Sequence, residues 1–340
     1  MRVVHVTYPT AHVRRAGGRL EIYVRNEKRE EIRLHGLRQL VLTGSVAVSP
    51  PAMDLLLTKG IDTVFLTGSG RFRGRLSGHL SSNIQLRLRQ FERLKDPSFA
   101  LKLAKTIVIG KIRNQRQHLL RHRRRHGLDE LSTAIVALRA ASLRTEFATS
   151  LDEVRGCEGS ASAAYFRVFQ HLLRHEDFTF HGRTRRPPLD PVNALLSLGY
   201  TLLFNLVHST VERVGLDPYL GALHAPMTGR PSLVCDLVEE FRALVVDALV
   251  VGAINRRLFR LEDFEDAGPG EPVIVKRETM RWMVQLFERR VEQPARYPPL
   301  GSRLPLHRIV EQQARGLARH LAEDAVYHPY HPSPSGQERS

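Results

Sequence analysis

The chain has 340 residues, 42% hydrophobic and 25% charged, with a formal net charge of +16 and a pI near 10.5, so two globular domains are favoured over one. Two cysteines, Cys157 and Cys235, exclude a disulfide framework and a thiolate zinc cage. The start, MRVVHVTYPTAHV, lacks the features of a secretory signal. The longest apolar runs, ALLSLGYTLLF and ALVVDALVVGAI, fall short of the ~20 residues of a membrane span, so a cytoplasmic protein without a membrane partner is expected.

Residues 1–78 alternate in the manner of short strands: VVHVTY, RLEIYVR, EEIRLHG, QLVLTG, VAVS and DTVFLTG. RRAGGRL and VRNEKRE fit hairpin connections, and PAMDLLLTKGI a short helix stopped by Gly60. The pattern turns helical after RFRGRLSG. An α+β protein is expected, with a β-sandwich-like domain over residues 1–76, a linker over 77–82 and a large all-α domain over 83–323. Within it SSNIQLRLRQFERLKDP is a capped helix, and a second helix runs from Pro97 to a terminating Gly127. A β excursion, EPVIVKRE, falls near 272–278, and residues 324–340 read as a flexible tail.

Charge is distributed unevenly along these elements. Residues 1–78 carry 13 Lys/Arg and 6 Asp/Glu, residues 79–126 carry 13 and 2, and the remaining 214 carry 25 and 27. The excess lies in the first 126 residues, which suggests a phosphate-backbone partner. The candidate contacts are Lys111, Arg113, Arg116 and Arg121 in GKIRNQRQHLLRHRRRH, and Arg73 and Arg75 in the basic loop. Lys111 is expected to face inward with Asn114 and Gln115, and the RHRRRH end to be a solvated helix terminus.

Acids break the apolar pattern in two segments. Glu158 falls on the stripe Leu151, Val154, Ala161, Tyr165, Val168, and needs a cation if buried, with Arg155 and Arg167 as nearby candidates. Gly156 and Gly159 flank it, as if a backbone or ligand approached closely. In SLVCDLVEEFRALVVD, one uninterrupted helix would align Asp236, Glu240 and Asp247, leaving Glu239 to the side beside Arg242. His224 sits in the preceding loop, two residues before Pro226, with His208 as a rival imidazole. Two carboxylates and one imidazole from separate elements suit Mn²⁺ or Mg²⁺. Cys157 and Cys235 are expected to be small buried hydrophobes.

The order and spacing of further segments carry a resemblance over about 320 residues. They are AVSPPAMDLLLTKGIDTVFLTGSGRFRGRLSG, LRLRQFERLKDPSFALKLAKTIVIGKIRNQRQHLL, EGSASAAYF, DPVNALLSLGYTLL, GLDPYLGALHAP, SLVCDLVEEFRALVVD, IVEQQARGLARHL and YHPY. Together they resemble the CRISPR-associated endonuclease/integrase family of spacer acquisition. The resemblance implies metal ligands at Glu158, His224 and Asp236; beside them Glu239, Glu240 and Asp247 are expected as support, and Lys111 and Arg242 as phosphate or carboxylate partners. It also implies a homodimer, double-stranded prespacer and repeat DNA as substrates, and a small ferredoxin-like partner bridging two dimers in a heterohexamer. The rival expectations are a basic DNA scaffold without catalysis and a hydrolase of small phosphate esters.

Overall fold

The computed structural model describes residues 2–68, 72–76, 78, 83–265, 268, 270–323 and 325–332. The N-terminal strands are β1 (Arg2–Val6), β2 (His12–Ala16), β3 (Arg19–Val24), β4 (Glu27–Arg33), β5 (Leu37–Thr43), β6 (Ala47–Val48), β7 (Asp62–Leu66) and β8 (Phe72–Leu76). They form two four-stranded sheets, ordered β1-β5-β7-β8 and β4-β3-β2-β6. Gly17 closes the β2–β3 turn at positive φ; Arg25 and Asn26, both left-handed, close β3–β4. Val6, Leu40 and Leu42 of one sheet meet Val13, Leu20, Ile22 and Ile32 of the other, with Ala52, Leu55 and Leu56 of helix α1 (Pro50–Thr58) in the same core. This is the expected sandwich. Of the expected linker, residues 77 and 79–82 lie outside the described residues.

The second core is helical: α2 (Ile84–Lys95), α3 (Pro97–His126), α4 (Ser132–Phe147), α5 (Leu151–Arg167), α6 (Pro191–Val214), α7 (Ser232–Val238), α8 (Ala248–Asn255), α9 (Arg277–Glu292) and α10 (Leu306–Glu323). Helix α3 runs as its punctuation predicts. Asp96 accepts the Ser98 N–H, Pro97 takes the first position, and Gly127 at φ +66° ends it. Ser150 and Asp190 cap α5 and α6 in the same way. By length and composition α6 could cross a membrane, yet 78% of its most apolar window is buried inside the protein.

Three features differ from the sequence-based expectation. The β excursion is the short pair β9 (Phe264–Glu265) and β10 (Ile274–Val275), and a further hairpin, β11 (Pro294–Tyr297) with β12 (Ser302–Pro305), joins α9 to α10. Residues 325–332 of the expected flexible tail are packed. Tyr327 and Tyr330 are buried, and Tyr330 stacks on Phe241 with ring centroids 5.9 Å apart. Two aromatic anchors with polar ends that find partners are enough to seat a Pro-rich segment. Residues 324 and 333–340 lie outside the described residues. Third, the acidic helix is interrupted: α7 ends at Val238, Glu239 and Glu240 lie on a turn, and Arg242–Asp247 form a π-helical segment leading into α8.

Glu240 holds the tail. It accepts from the Tyr327 hydroxyl, from Tyr330 N at 2.8 Å and from Gln313 Nε2 at 3.0 Å. Burial nevertheless pushes its carboxyl up to about 7, against these three donors. The folded value lies above the unfolded one. The stability this carboxyl contributes is therefore full below its unfolded pKa and is lost as pH rises through about 7. Denaturant midpoints are expected to fall across that window, and Glu240→Gln to flatten the slope.

The domains meet through buried polar contacts. Arg75 of β8, expected on a DNA track, is instead buried: it pairs with Asp62 at 3.0 Å and with Glu212 of α6, and its side chain is 6% exposed. Gln39 and Asp62 both bond Ser209 of α6, at 2.6 Å each. His208, the rival imidazole, lies at this junction beside Glu212, and burial lowers its pKa to about 3.

Candidate active site

Four elements converge where α3 crosses α5 and the loop before α7. Helix α3 contributes Lys111, buried as expected along with Asn114 and Gln115. Its Nζ binds Glu158 Oε1 of α5 and lies 2.7 Å from Glu239 Oε2. The cation of Glu158 is therefore Lys111. Arg155, one of the two candidates, turns to Asp152 and to the Leu223 carbonyl. Ser162, one turn along α5, also donates to Glu158 Oε1, at 3.0 Å. The Glu158 side chain is 27% exposed. A Cβ at Gly156 or Gly159 would meet nothing within 4 Å, so among the described residues no other part of the chain approaches those glycines closely.

Glu239 is 6% exposed. Burial acts to raise its carboxyl, but Arg242 and Lys111 outweigh it, the His224 imidazole adds to them, and the group is held at about 2. Arg242 Nε lies 3.1 Å from Glu239 Oε1, with its guanidinium over the Tyr200 ring at 4.7 Å. Oε2 is buried without an aligned hydrogen bond among the described residues, and the Lys111 ammonium faces it at salt-bridge distance.

Asp236 has a different environment. Its side chain is 0% exposed and both oxygens are used. Oδ2 accepts from Ala222 N at 2.6 Å and Leu223 N at 3.0 Å. Oδ1 accepts from His224 N at 3.0 Å and His224 Nδ1 at 2.7 Å. Gly221 makes this possible, since a Cβ there would stand 2.6 Å from Asp236 Oδ2. Both oxygens of Asp236, an expected metal ligand, thus already accept from the loop. Its carboxylate fixes the imidazole with Nδ1–H donating, which leaves Nε2 as the acceptor nitrogen of the ring.

The expected line of Asp236, Glu240 and Asp247 is broken by the turn and the π segment, which send each acid in its own direction. Glu240 takes the tail. Asp247 accepts from Tyr165 at 2.9 Å and Tyr200 at 2.5 Å, and burial pushes its carboxyl up to about 6. Tyr165 O–H also sits 2.8 Å from His118 Nδ1, and burial lowers His118 to about 3, so it is neutral. Tyr165, Tyr200, Tyr327 and Gln313 were not anticipated as partners of these acids. Only Tyr165 gave a signal, by standing on the Glu158 stripe. Cys157 and Cys235 are half-buried rather than buried.

Of the expected phosphate contacts, Arg73, Arg113 and Arg121 are exposed, Arg116 is half-buried, and Lys111 and Arg242 are committed to carboxylates. Among the described residues, no three His, Cys, Asp or Glu side chains stand together at metal-ligand spacing. Two carboxylates do converge, on an ammonium, beside an oriented imidazole.

A β-sandwich joined to a helical domain, with an acid of α5 and an acid of the turn after α7 sharing one cation, defines a two-domain α+β architecture. One solved example, a casposase bound to integration product, superposes with a TM-score of 0.83 at 20% identity, covering 98% of this chain and 96% of its own. Residues 4–289 match the family model for CRISPR associated protein Cas1, and the chain belongs to that family. A relative from Rhodospirillum rubrum, named CRISPR-associated endonuclease Cas1 2, is 38% identical over 339 residues, 97% of each chain. A chain of a Cas6-RT-Cas1–Cas2 complex superposes with a TM-score of 0.81 at 25% identity; this protein is covered to 98% and spans 36% of that longer chain.

Proposed function

We propose that this chain is a divalent-metal-dependent DNA endonuclease and strand-transfer integrase that inserts new spacers into CRISPR arrays. The observation that carries it is the sharing of one cation by Glu158 and Glu239 beside a His224 whose Nδ1 is tied to Asp236. Membership in a family whose relatives are named endonucleases supports the reaction class. The donor set fits Mn²⁺ or Mg²⁺: two carboxylates, one with a buried and poorly bonded oxygen, and one imidazole with Nε2 as its acceptor nitrogen. Glu158, His224 and Glu239 would hold the ion, with Asp236 behind His224. When bound, the ion polarises a phosphoryl oxygen and stabilises the charge that develops on it.

The chain's own residues prepare that site. Asp236 and the loop amides it gathers fix His224 in one tautomer. Arg242, stacked on Tyr200, keeps Glu239 ionised and aimed. In strand transfer a prespacer 3′-oxygen attacks the phosphorus of a repeat phosphodiester. The attacking hydroxyl gives up its proton, a new P–O bond forms as the bond from that phosphorus to the 3′-oxygen on its other side breaks, and the leaving oxygen takes up a proton to become a hydroxyl. Exposed Arg113 and Arg121 on α3, with Arg73, are placed to neutralise DNA phosphates. We assign double-stranded prespacer and repeat DNA as substrates, a cytoplasmic location, a homodimer, and a small ferredoxin-like partner that bridges dimers. A solved neighbour named as a Cas6-RT-Cas1–Cas2 complex supports work alongside a partner protein.

Strand transfer into a supercoiled, repeat-bearing plasmid with Mn²⁺ tests this. Glu158→Ala and His224→Ala are each expected to lower transfer by about 10²-fold or more. Transfer at the wild-type rate by both variants would leave a DNA scaffold as the better description. Hydrolysis of small phosphate esters unaffected by competitor DNA would favour the other rival.

A further inference from the structure

Lys111 is one of seven lysines and, among the described residues, the only buried one. Its ammonium does more than pair with one acid, since it stands between carboxylates from two separate elements, α5 and the turn after α7. The other oxygen of Glu239 belongs to Arg242, and Glu158 Oε1 is shared with Ser162. The space between Glu158 and Glu239 therefore holds one positive charge, supplied by the chain itself.

The backbone that carries this charge is fixed. A Cβ at Gly110 would lie 2.4 Å from Pro329 Cβ, so the tail packs directly on α3 beside Lys111. One turn further, Asn114 Nδ2 donates to the Glu240 and Tyr330 carbonyls, at 2.8 Å each. Helix α3 is thus tied to the element bearing Glu239. Only the four-carbon stem of Lys111 is left to move, and an ammonium on such a stem is a mobile point charge rather than a rigid fork.

We propose that Lys111 is the resident counter-cation of the metal site: its ammonium and the divalent ion are alternative occupants of the space between Glu158 and Glu239. This rests on the metal-ligand assignment above. The exchange explains why the acids are already gathered with only a lysine between them. It also keeps the buried Glu239 and the half-buried Glu158 facing a positive charge before metal arrives. Metal entry is then a swing of the stem, and the displaced ammonium remains in the cleft as a positive charge beside the phosphate.

The test is Mn²⁺ binding to the full chain without DNA, read by the electron-paramagnetic-resonance signal of free Mn²⁺. Lys111→Met removes the competitor while keeping the stem. It is expected to bind Mn²⁺ at least about tenfold more tightly than wild type, because one buried positive charge no longer opposes entry. Equal or weaker binding by a folded Lys111→Met protein would overturn the proposal.

A second measurement does not depend on how that variant folds. In ¹⁵N-lysine-labelled wild type, the Lys111 ammonium resonance, assigned by its absence from Lys111→Arg, is expected to shift or vanish at saturating Mg²⁺. An unchanged resonance with Mg²⁺ bound would also overturn it. Glu158→Gln and Glu239→Gln, titrated in parallel, separate the two levels. If neither weakens Mn²⁺ binding, the ligand assignment has failed; if both do and Lys111→Met does not tighten it, the exchange alone has failed.

Discussion

Glu239→Gln is expected to lower strand transfer by about 10²–10³-fold and to weaken Mn²⁺ binding along with it. The substitution keeps the shape of the side chain and removes its charge. Glu239 is the acid of this segment that faces Glu158 across a single cation, and Arg242 and Lys111 keep it ionised, with a pKa of about 2. Loss of its charge leaves Lys111 paired with Glu158 and Arg242 still stacked on Tyr200. The fold is therefore expected to lose less than the chemistry, with about 1–3 kcal/mol of stability at stake. Plasmid strand transfer measures the first effect and urea unfolding the second. Wild-type transfer by Glu239→Gln would return the inner-ligand role to another acid.

Asp236→Ala is expected to show the opposite balance. The Asp236 carboxylate is the acceptor for three consecutive backbone amides and one imidazole N–H, all at 3.0 Å or less. Removing it leaves four donors in or beside the core without a partner, at a cost of about 3–5 kcal/mol. The loop carrying His224 would lose its anchor. Mn²⁺ affinity is expected to fall by about 10–100-fold, the range for removing a residue that orients a ligand. Urea unfolding followed by circular dichroism checks the stability, and Mn²⁺ titration the affinity. A stable Asp236→Ala protein that binds no Mn²⁺ would mean that Asp236 is itself a ligand.

Much of this arrangement is legible in the sequence itself. Period-two alternation and hairpin residues marked the sandwich, and Pro97 with Gly127 marked the limits of α3. Glu158 and His224 stood out because one violates an apolar stripe and the other precedes a proline in a loop. Lys111 was expected to face inward from its neighbours Asn114 and Gln115, and it does. The roles of Asp236 and Glu239 could not be separated. Three acids lie within DLVEE, and periodicity alone presumes one continuous helix. A turn after Val238 and a π segment after Phe241 alter the phase, and neither has a sequence signature. Arg75 carried the signal of an exposed basic loop, while its buried partners Asp62 and Glu212 come from distant positions. The tail reads as flexible for a related reason: its anchors are two tyrosines whose partners, Glu240 and Phe241, lie some ninety residues earlier.

The most direct test of the site is a crystal of the full chain soaked in Mn²⁺ and measured at a wavelength where manganese scatters anomalously. The account predicts one peak bonded directly to Glu158, His224 Nε2 and Glu239, with the Lys111 ammonium moved aside and Asp236 still holding His224 Nδ1. A peak bonded directly to Asp236, or an ion bound elsewhere while Lys111 still bridges Glu158 and Glu239, would contradict it.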